Sequence, residues 1–410
     1  MNMNLEKYLK LRYIYILSIL FCIYLTYIFR VDITFDTPTY VNAWSTLLDG
    51  HIDKWRTPSY PIFLGIMKTI FGDNYLYFVV LVQHLVFLVS VRYFYLLTRC
   101  TVTNDKISFF ITLFYALYPC VATYNCLIGT STFVVTGSVF LLYTFLKFYL
   151  TNHFRYGVYA FFLLFFLIFL RPAVVYLLPV TIVAWCIVAY MKKNFLDTSV
   201  LFGITGSVVV SICLIVYMFM FKSSYGVFTP SGIGLINQYT VAKAANVIDL
   251  NTTGEELGFY QEAEKYINIM GMEAFSDSLK QSINRDKGKY VKRLWQNVRK
   301  ASEDNLFEPS YQIGVLGVFS NLMGPKIKVI YYLFLIYAVL LLRWMMRRKE
   351  IAIFPCFLIM IGVSNYIIII LGSPGEYGRL SLPAMPVYLI MFGQLLNMIR
   401  IKRISNVRFV

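Results

Sequence analysis

The sequence is poor in charged residues, and acids are the scarcer part of them. Charged side chains make up 14% of the 410 residues, whereas an average soluble domain carries about 25%. Asp and Glu together number 21, Lys and Arg 37, and His only three. The seven cysteines are scattered singly, without the paired spacing of a zinc site. This composition argues against a soluble domain and gives no metal-binding motif.

Several motifs of catalysis and transport are also missing. The chain contains no glycine-rich phosphate loop, no HExxH and no GxSxG. Nucleotide-driven transport and metalloprotease chemistry therefore lack their usual residues. It also lacks an Asp-x-Asp pair that could hold a metal ion against a nucleotide diphosphate. We expect an activity that uses no metal and no cofactor.

Long apolar runs dominate the chain instead. Hydrophobic residues make up 59% of it, and several runs reach about 20 residues, the length that crosses a bilayer core. Because an unpaired backbone cannot face lipid, these runs predict an all-α polytopic membrane protein. We predict about ten transmembrane helices, at residues 11–29, 75–97, 107–123, 131–150, 157–170, 173–191, 199–221, 327–346, 351–371 and 381–400. Arg171 and Pro172 interrupt the fifth and sixth, which are either two short helices or one kinked helix with a partner.

Composition divides the chain into three parts. Residues 1–221 form a seven-span module with a first external loop at 30–74, and residues 327–410 form a three-span part. Between them, the segment 222–326 holds most of the acids, and its apolar residues recur at helix-like spacing. We predict a large extracytoplasmic helical segment there.

The net charge of +16 is concentrated rather than spread. Basic residues collect in short loops that the predicted spans place on one side of the membrane, as the positive-inside bias requires. This indicates a plasma or inner membrane protein with both termini in the cytoplasm, contacting membrane lipid and no nucleic acid. These residues are Lys7, Lys10, Arg12, Arg99, Lys106, Lys147, His153, Arg155, Lys192, Lys193, Arg343, Arg347, Arg348, Lys349, Arg400, Lys402, Arg403 and Arg408.

The first external loop holds the leading candidate for chemistry. It is charged, proline-framed and rich in aromatic residues at a membrane surface, where charge is costly and commonly functional. Residues 39–48 predict a short helix with Pro38 in its first turn and Asp36 or Thr37 as its cap. Asp36 is therefore either a helix cap or a general base that takes a proton from an acceptor hydroxyl.

Asp32 precedes Asp36 by four residues. The two carboxylates would share a face if the segment were helical. Asp32 is then either a supporting acid behind Asp36 or a solvated charge at the end of a span.

Three arginines fall on the external side in the predicted topology: Arg56, Arg171 and Arg379. A guanidinium group binds two phosphate oxygens at once, which suits recognition of a phosphodiester. Arg171 interrupts an apolar run, where a charge is either functional or reaches to the interface along its own aliphatic stem. Tyr40 and Tyr60 flank the acid as membrane anchors or as contacts for the substrate.

Several stretches of the sequence match the motifs of a known enzyme family. They are residues 36–40 with Ala43 and Leu47, Arg56-Thr57-Pro58-Ser59-Tyr60-Pro61-Ile62-Phe63-Leu64 with Phe71-Gly72, Leu117-Tyr118-Pro119, Phe169-Leu170-Arg171-Pro172, and residues 379–386. Together they resemble the GT-C superfamily of membrane glycosyltransferases, and most closely family 39, which contains protein mannosyltransferases and the aminoarabinose transferase of lipid A. The likeness covers the first 190 residues and part of the last span.

The resemblance implies metal-independent transfer of a sugar from a polyprenyl-phosphate donor to an extracytoplasmic acceptor, which is a lipid, a glycan or a protein. It also implies that Asp36 is the base and that the arginines contact the donor phosphate. Two positions depart from the family. Gly129-Thr130-Ser131 stands where the family often has Ser-Glu-Thr, and Ser381 stands where the closing motif has a second Arg.

Two other functions are compatible with the sequence. A polysaccharide polymerase or ligase also combines many spans with a large external loop. A flippase or transporter of lipid-linked sugars would be expected to show internal repeats and polar residues in broken helices at mid-membrane. In this sequence the polar candidates cluster at one interface instead, which favours a surface-facing enzyme.

The predicted topology can be tested by cysteine accessibility. A single cysteine at Asn251, in a cysteine-free background, should react with a membrane-impermeant reagent from outside the cell, because 222–326 is predicted to be external. A cysteine at Lys193 is the cytoplasmic control. If the cysteine at position 251 reacted only after the membrane was permeabilised, the predicted orientation would be wrong.

Overall fold

A computed structural model of the chain describes residues 5–34, 36–192, 197–248, 258–303, 326–348, 351–372 and 377–400. These residues are mostly helical, and none of them forms a strand longer than an isolated bridge. One such bridge pairs Asp32 with Leu127 in parallel. The all-α fold predicted from the apolar runs is confirmed.

Ten α-helices lie in the described residues up to Tyr225. They are α1 (Leu5–Phe29), α2 (Thr37–Leu48), α3 (Ser59–Phe71), α4 (Tyr75–Thr101), α5 (Asp105–Leu117), α6 (Pro119–Ala122), α7 (Ser131–Thr151), α8 (Phe154–Leu170), α9 (Leu177–Lys192) and α10 (Thr198–Tyr225).

Eight more α-helices follow in the described ranges. They are α11 (Ile233–Ala244), α12 (Phe259–Met270), α13 (Met272–Arg285), α14 (Lys287–Glu303), α15 (Ile327–Arg348), α16 (Ile353–Gly372), α17 (Tyr377–Ser381) and α18 (Met385–Arg400).

Eight segments of the described chain are long and apolar enough to cross a membrane, so this is a multi-pass membrane protein. Two predicted spans fall short of that length: α5 has 13 residues and ends before Pro119, and α8 has 17. The prediction of about ten spans is thus approximate. The eight are Leu11–Phe29, Ser59–Thr101, Ser131–Thr151, Pro172–Lys192, Thr198–Tyr225, Ile327–Arg348, Ile353–Leu371 and Tyr377–Ile399.

The centre of the bundle is α7, which packs against α4, α8 and α18. Its aromatic side chains meet the fully buried Trp185 of α9, with ring centroids 5.1 Å away for Phe145 and 4.4 Å for Phe148. Helix α10 approaches the same indole closely, because Gly203 has no side chain; a Cβ there would lie 2.7 Å from the Trp185 ring. Close packing of this kind fixes how α7, α9 and α10 sit together.

The break at Arg171 resolves into two separate helices. Helix α8 ends at Leu170, and Arg171 is extended, with φ −152° and ψ 116°. Pro172 causes this, because its ring excludes the α conformation from the preceding residue. A 3₁₀ turn at Pro172–Val174 then leads into α9. The guanidinium of Arg171 therefore leaves the chain at a helix end rather than from the middle of a helix.

Candidate active site

Helices α2 and α3 form a helical hairpin on the bundle and carry the first predicted site residues. Pro38 lies in the first turn of α2, as expected, and Asp36 occupies the N-cap position. The carboxylate of Asp36 makes no capping hydrogen bond. Instead, Thr37 anchors this turn, since its hydroxyl accepts from the Thr34 N–H at 3.0 Å and donates to the Ile128 carbonyl at 3.1 Å. The side chain of Asp36 is thus left for other contacts.

Asp36 is paired with Arg56, which lies in the loop between α2 and α3. Nη2 of Arg56 donates to Oδ1 of Asp36 at 2.6 Å. Nε of the same guanidinium donates to the Thr39 hydroxyl at 2.7 Å, and Nη1 donates to the Tyr40 hydroxyl at 3.1 Å. The Arg56 side chain is 12% exposed and that of Asp36 30%. The carboxylate therefore remains accessible, with the guanidinium behind it.

Arg379 approaches the other oxygen of the same carboxylate. Its Nη1 lies 3.5 Å from Oδ2 of Asp36, across 343 residues of sequence, and its side chain is 35% exposed. Short α17 presents Arg379, and the end of α8 presents Arg171, whose charge also acts on Asp36. The structure thus brings together the acid and all three arginines singled out from the sequence.

The arginines determine the protonation state of Asp36. Burial by itself would raise the pKa of this carboxyl. The charges of Arg56 and Arg379, the hydrogen bond from Arg56 and the charge of Arg171 outweigh burial, so the pKa of Asp36 is lowered below its usual value. Asp36 is an ionised carboxylate at neutral pH.

Tyr40 and Tyr60 support this cluster from one side. The guanidinium carbon of Arg56 lies 4.2 Å from the centre of the Tyr40 ring, a cation–π contact. The Tyr60 ring meets that of Tyr40 edge-on at 4.9 Å. Tyr60 is fully buried, and its hydroxyl donates to Gln83 at 3.3 Å. Tyr60 therefore packs against Tyr40, whose ring in turn lies against the Arg56 guanidinium.

Asp32 lies apart from the helix that carries Asp36. Its N–H donates to the Cys126 carbonyl at 2.9 Å, and its carbonyl accepts from the Ile128 N–H at 3.0 Å. Asp32 forms a β-bridge with Leu127 and is not part of a helix, so the four-residue spacing does not place Asp32 and Asp36 on one helical face. Burial raises the pKa of the Asp32 carboxyl. Its backbone joins the chain before α2 to the stretch before α7.

Sequence reasoning missed Asp53, which shapes the loop that presents Arg56. Its Oδ1 accepts from the backbone N–H of Trp55 at 2.8 Å and of Arg56 at 2.7 Å. Burial raises the pKa of this carboxyl, against the lowering effect of those two hydrogen bonds and of the Arg56 charge. An Asp two and three residues before the bonded N–H groups is the pattern of an Asx turn, which could have been found in the sequence.

The end of α10 and the chain that follows it bind backbone carbonyls of the same loop. The Tyr225 hydroxyl donates to the Ile52 carbonyl at 2.6 Å, and the Ser231 hydroxyl donates to the Trp55 carbonyl at 2.6 Å. The Gly232 N–H donates to the Lys54 carbonyl at 3.0 Å. A Cβ at Gly232 would lie 2.8 Å from the Trp55 ring. The segment beyond residue 222 is thus built into the support of Arg56.

A cavity of about 720 Å³ opens beside this loop. Lys54, Tyr225 and Met270 line it, together with the acids Glu273 and Asp277 of α13. The Lys54 ammonium donates to Asn268 at 2.7 Å, which joins the loop to α12. The cavity has charged walls of both signs and apolar methionine surface.

The described residues contain no group of three or more His, Cys, Asp and Glu side chains that could hold a metal ion. Asp36 has guanidinium groups as its neighbours instead. The positive charge beside the Asp36 carboxylate therefore comes from arginine side chains.

Comparison with known proteins shows a shared fold. No family model matches the chain, and no curated protein matches its sequence. The structure is similar to that of the oligosaccharyltransferase AglB from Archaeoglobus fulgidus in complex with an inhibitory peptide and a dolichol-phosphate, with a TM-score of 0.54 and 13% sequence identity. It is also similar to the apo oligosaccharyltransferase of the same organism, with a TM-score of 0.53 and 14% identity.

These likenesses cover 96% of this chain and 51% of the archaeal chains, so the chain spans about half the length of those proteins. The chain therefore has the GT-C fold, as expected from the first-loop and span-end motifs. The matched structures are oligosaccharyltransferases and do not single out family 39, which the sequence resembles.

The Asx turn at Asp53 gives a direct structural prediction. In Asp53→Ala, amide hydrogen exchange at Trp55 and Arg56 should speed up by about tenfold or more, because the two N–H groups lose an acceptor. Asp53→Asn keeps an oxygen in place and should retain most of the protection. Asp49→Ala, at an exposed position, is the control. Unchanged exchange in Asp53→Ala would show that the turn does not depend on this carboxylate.

Proposed function

We propose that this chain is an integral membrane glycosyltransferase that transfers a sugar, of hexosyl or pentosyl type, from a polyprenyl-phosphate-linked donor to an extracytoplasmic acceptor. The observation that carries the proposal is a partly exposed Asp36 carboxylate bound by Arg56 and Arg379, with the charge of Arg171 acting on it. One acid among three cations suits a reaction in which a hydroxyl loses a proton while a phosphate leaves.

The proposed reaction is a single displacement at the anomeric carbon. The acceptor oxygen forms the new bond, the carbon–oxygen bond to the phosphate breaks, and the phosphate leaves with the electron pair. The proton of the acceptor hydroxyl goes to Asp36. A polyprenyl phosphate is already a stable leaving group, so one acid is enough, and the configuration at the anomeric carbon inverts.

The arginines have unequal roles in this mechanism. Arg56 is mostly buried and donates to three side-chain oxygens, so it holds Asp36 in place. Arg379 is more exposed and lies farther from the carboxylate, at 3.5 Å. We assign Arg379 and Arg171 to the donor phosphate. When Arg379 and Arg171 bind the phosphate, their positive charges stabilise the Asp36 carboxylate less. The pKa of Asp36 then rises, and the carboxylate becomes a stronger base.

The fold comparison supports a lipid-linked donor. The archaeal enzyme with the same fold was solved with a dolichol-phosphate, which belongs to the polyprenyl-phosphate class. In this chain, the cavity between Lys54 and α13 is the place we assign to the acceptor. The positive-inside distribution of basic loops supports a plasma membrane location with the active face outside and both termini in the cytoplasm.

Asp36→Asn should abolish transfer while leaving the fold and donor binding largely intact. The amide keeps the size of the side chain but can no longer accept the proton, so the turnover number should fall on the order of a hundredfold or more. Because the pKa of Asp36 is lowered in the free protein, kcat/KM of the wild type should stay constant with respect to this group down to about pH 3.9, the usual pKa of Asp, and fall only below it.

The measurement is turnover of a polyprenyl-phosphate sugar by purified protein, with melting temperature as the control for folding. Asp49→Asn, an exposed acid at the end of α2, should behave as wild type. Near-normal turnover by Asp36→Asn would remove Asp36 from the base role. Movement of a lipid-linked sugar across the bilayer without any transfer would favour a flippase.

Transfer should continue in the presence of excess chelator and should not use nucleotide sugars. Arginine can neutralise a single phosphodiester directly, whereas a nucleotide diphosphate usually needs a bound divalent ion. The assay compares a polyprenyl-phosphate sugar with chelator against the matching nucleotide sugar with magnesium or manganese. Activity that disappears with chelator, or that appears only with the nucleotide donor, would contradict the mechanism.

A further inference from the structure

Helix α14 carries a strong positive charge outside the candidate active site. Its 17 residues include six Lys and Arg and a single acid, Glu303, a net charge of +5. Lys289 lies 3.5 Å from Asp286, and Arg299 lies 3.7 Å from Glu303; the two basic side chains are 60% and 85% exposed. Ion pairs between solvent-exposed side chains are weak, so these two pairs neutralise little of the positive charge of α14.

The apolar side of α14 is only partly covered by the protein. Asn297 and Ala301 face inward and are fully buried. The apolar side continues around the helix to Val291 and Trp295, which stand one turn apart. Val291 is 62% exposed and Trp295 74%. An exposed indole and a valine therefore form an apolar edge directly beside the basic face.

Helix α14 lies beside two helices that are candidates to span the membrane. The helix packs against α15 and α16, which are long and apolar enough to span, and against α11. Helix α11 begins beside Gly232, which contacts Lys54 and Trp55 of the active-site loop. Helix α14 therefore lies toward the end of the bundle that carries Asp36.

We propose that α14 is an interfacial helix that binds anionic phospholipid headgroups, with Trp295 and Val291 inserted at the boundary between headgroups and acyl chains. A basic amphipathic helix with Trp on its apolar side has the composition of helices that lie in this layer. Lys292, Arg299 and Lys300 supply the attraction to anionic lipid. A second copy of the chain fits this surface less well, because two helices of charge +5 repel each other.

This role is independent of the reaction proposed for Asp36. The lipid contact would fix the position of α14 at the bilayer. Helix α14 packs against α11, and the segment that begins α11 binds the loop at residues 52–56. Its effect is therefore on the anchoring of the external helices to the bilayer. A protein that fails every transfer assay would still be expected to show it.

Lipid-specific fluorescence quenching in full-length protein tests the proposal. The seven native cysteines are replaced by alanine, Trp295→Cys is labelled with a small fluorophore, and the protein is placed in nanodiscs that contain nitroxide-labelled phosphatidylglycerol or nitroxide-labelled phosphatidylcholine. We expect the anionic lipid to quench about twofold or more strongly than the zwitterionic one. Gln296→Cys, rotated about 100° around the helix, is the matched control and should be quenched less by either lipid.

The charge requirement is tested in the same protein. Lys292→Gln, Arg299→Gln and Lys300→Gln, combined in the labelled protein, should abolish the preference for phosphatidylglycerol without changing the melting temperature. Val291→Cys gives a second labelling position if Trp295→Cys does not fold. Equal quenching by the two lipids, or equal quenching at positions 295 and 296, would overturn the proposal. The proposal would also be overturned if neither lipid quenched the fluorophore and the purified protein formed dimers.

Discussion

The ion pair between Asp36 and Arg56 is the contact on which the candidate site depends. A guanidinium only 12% exposed is stable because each of its nitrogens has an oxygen acceptor and the Tyr40 ring covers one face. Removing one partner of such a pair leaves a poorly hydrated charge, which costs several kcal/mol when the site is fully buried. The start of α2, the turn at Asp53 and the packing of Tyr60 all serve to keep this pair in register.

Much of the architecture follows from the sequence because a bilayer allows few solutions. Long apolar runs must become helices, so the class of fold and most of the spans were predictable. Pro38 and Pro172 set local geometry through covalent constraints, so the start of α2 and the break after α8 were also within reach. The acid and the three arginines were identifiable because charge beside apolar spans is uncommon.

The features that could not be predicted from the sequence are contacts between distant segments, because the periodicity of apolar residues does not encode them. The hydroxyls of Tyr225 and Ser231 bind the carbonyls of residues 52 and 55 across more than 170 positions, and a carbonyl acceptor leaves no trace in the sequence. Tyr60 was predicted to be a membrane anchor or a substrate contact, and its complete burial by tertiary packing could not be read from the sequence. The length of α5 was overestimated because an apolar run continued past Pro119, where the helix has already ended.

The departure at Ser381 has a physical explanation in the packing around α17. Ser381 is fully buried, and its hydroxyl donates to the Gly378 carbonyl at 2.6 Å. An arginine at this position would bring a charge into a space without water, which is strongly unfavourable unless a new partner appears. The site therefore has one arginine on α17, and its remaining positive charge comes from Arg56 and from Arg171 at the end of α8. Because Arg171 is held by the break at Pro172, the geometry of the proposed phosphate-binding side depends on the end of α8 and on the short helix α17 rather than on one closing motif.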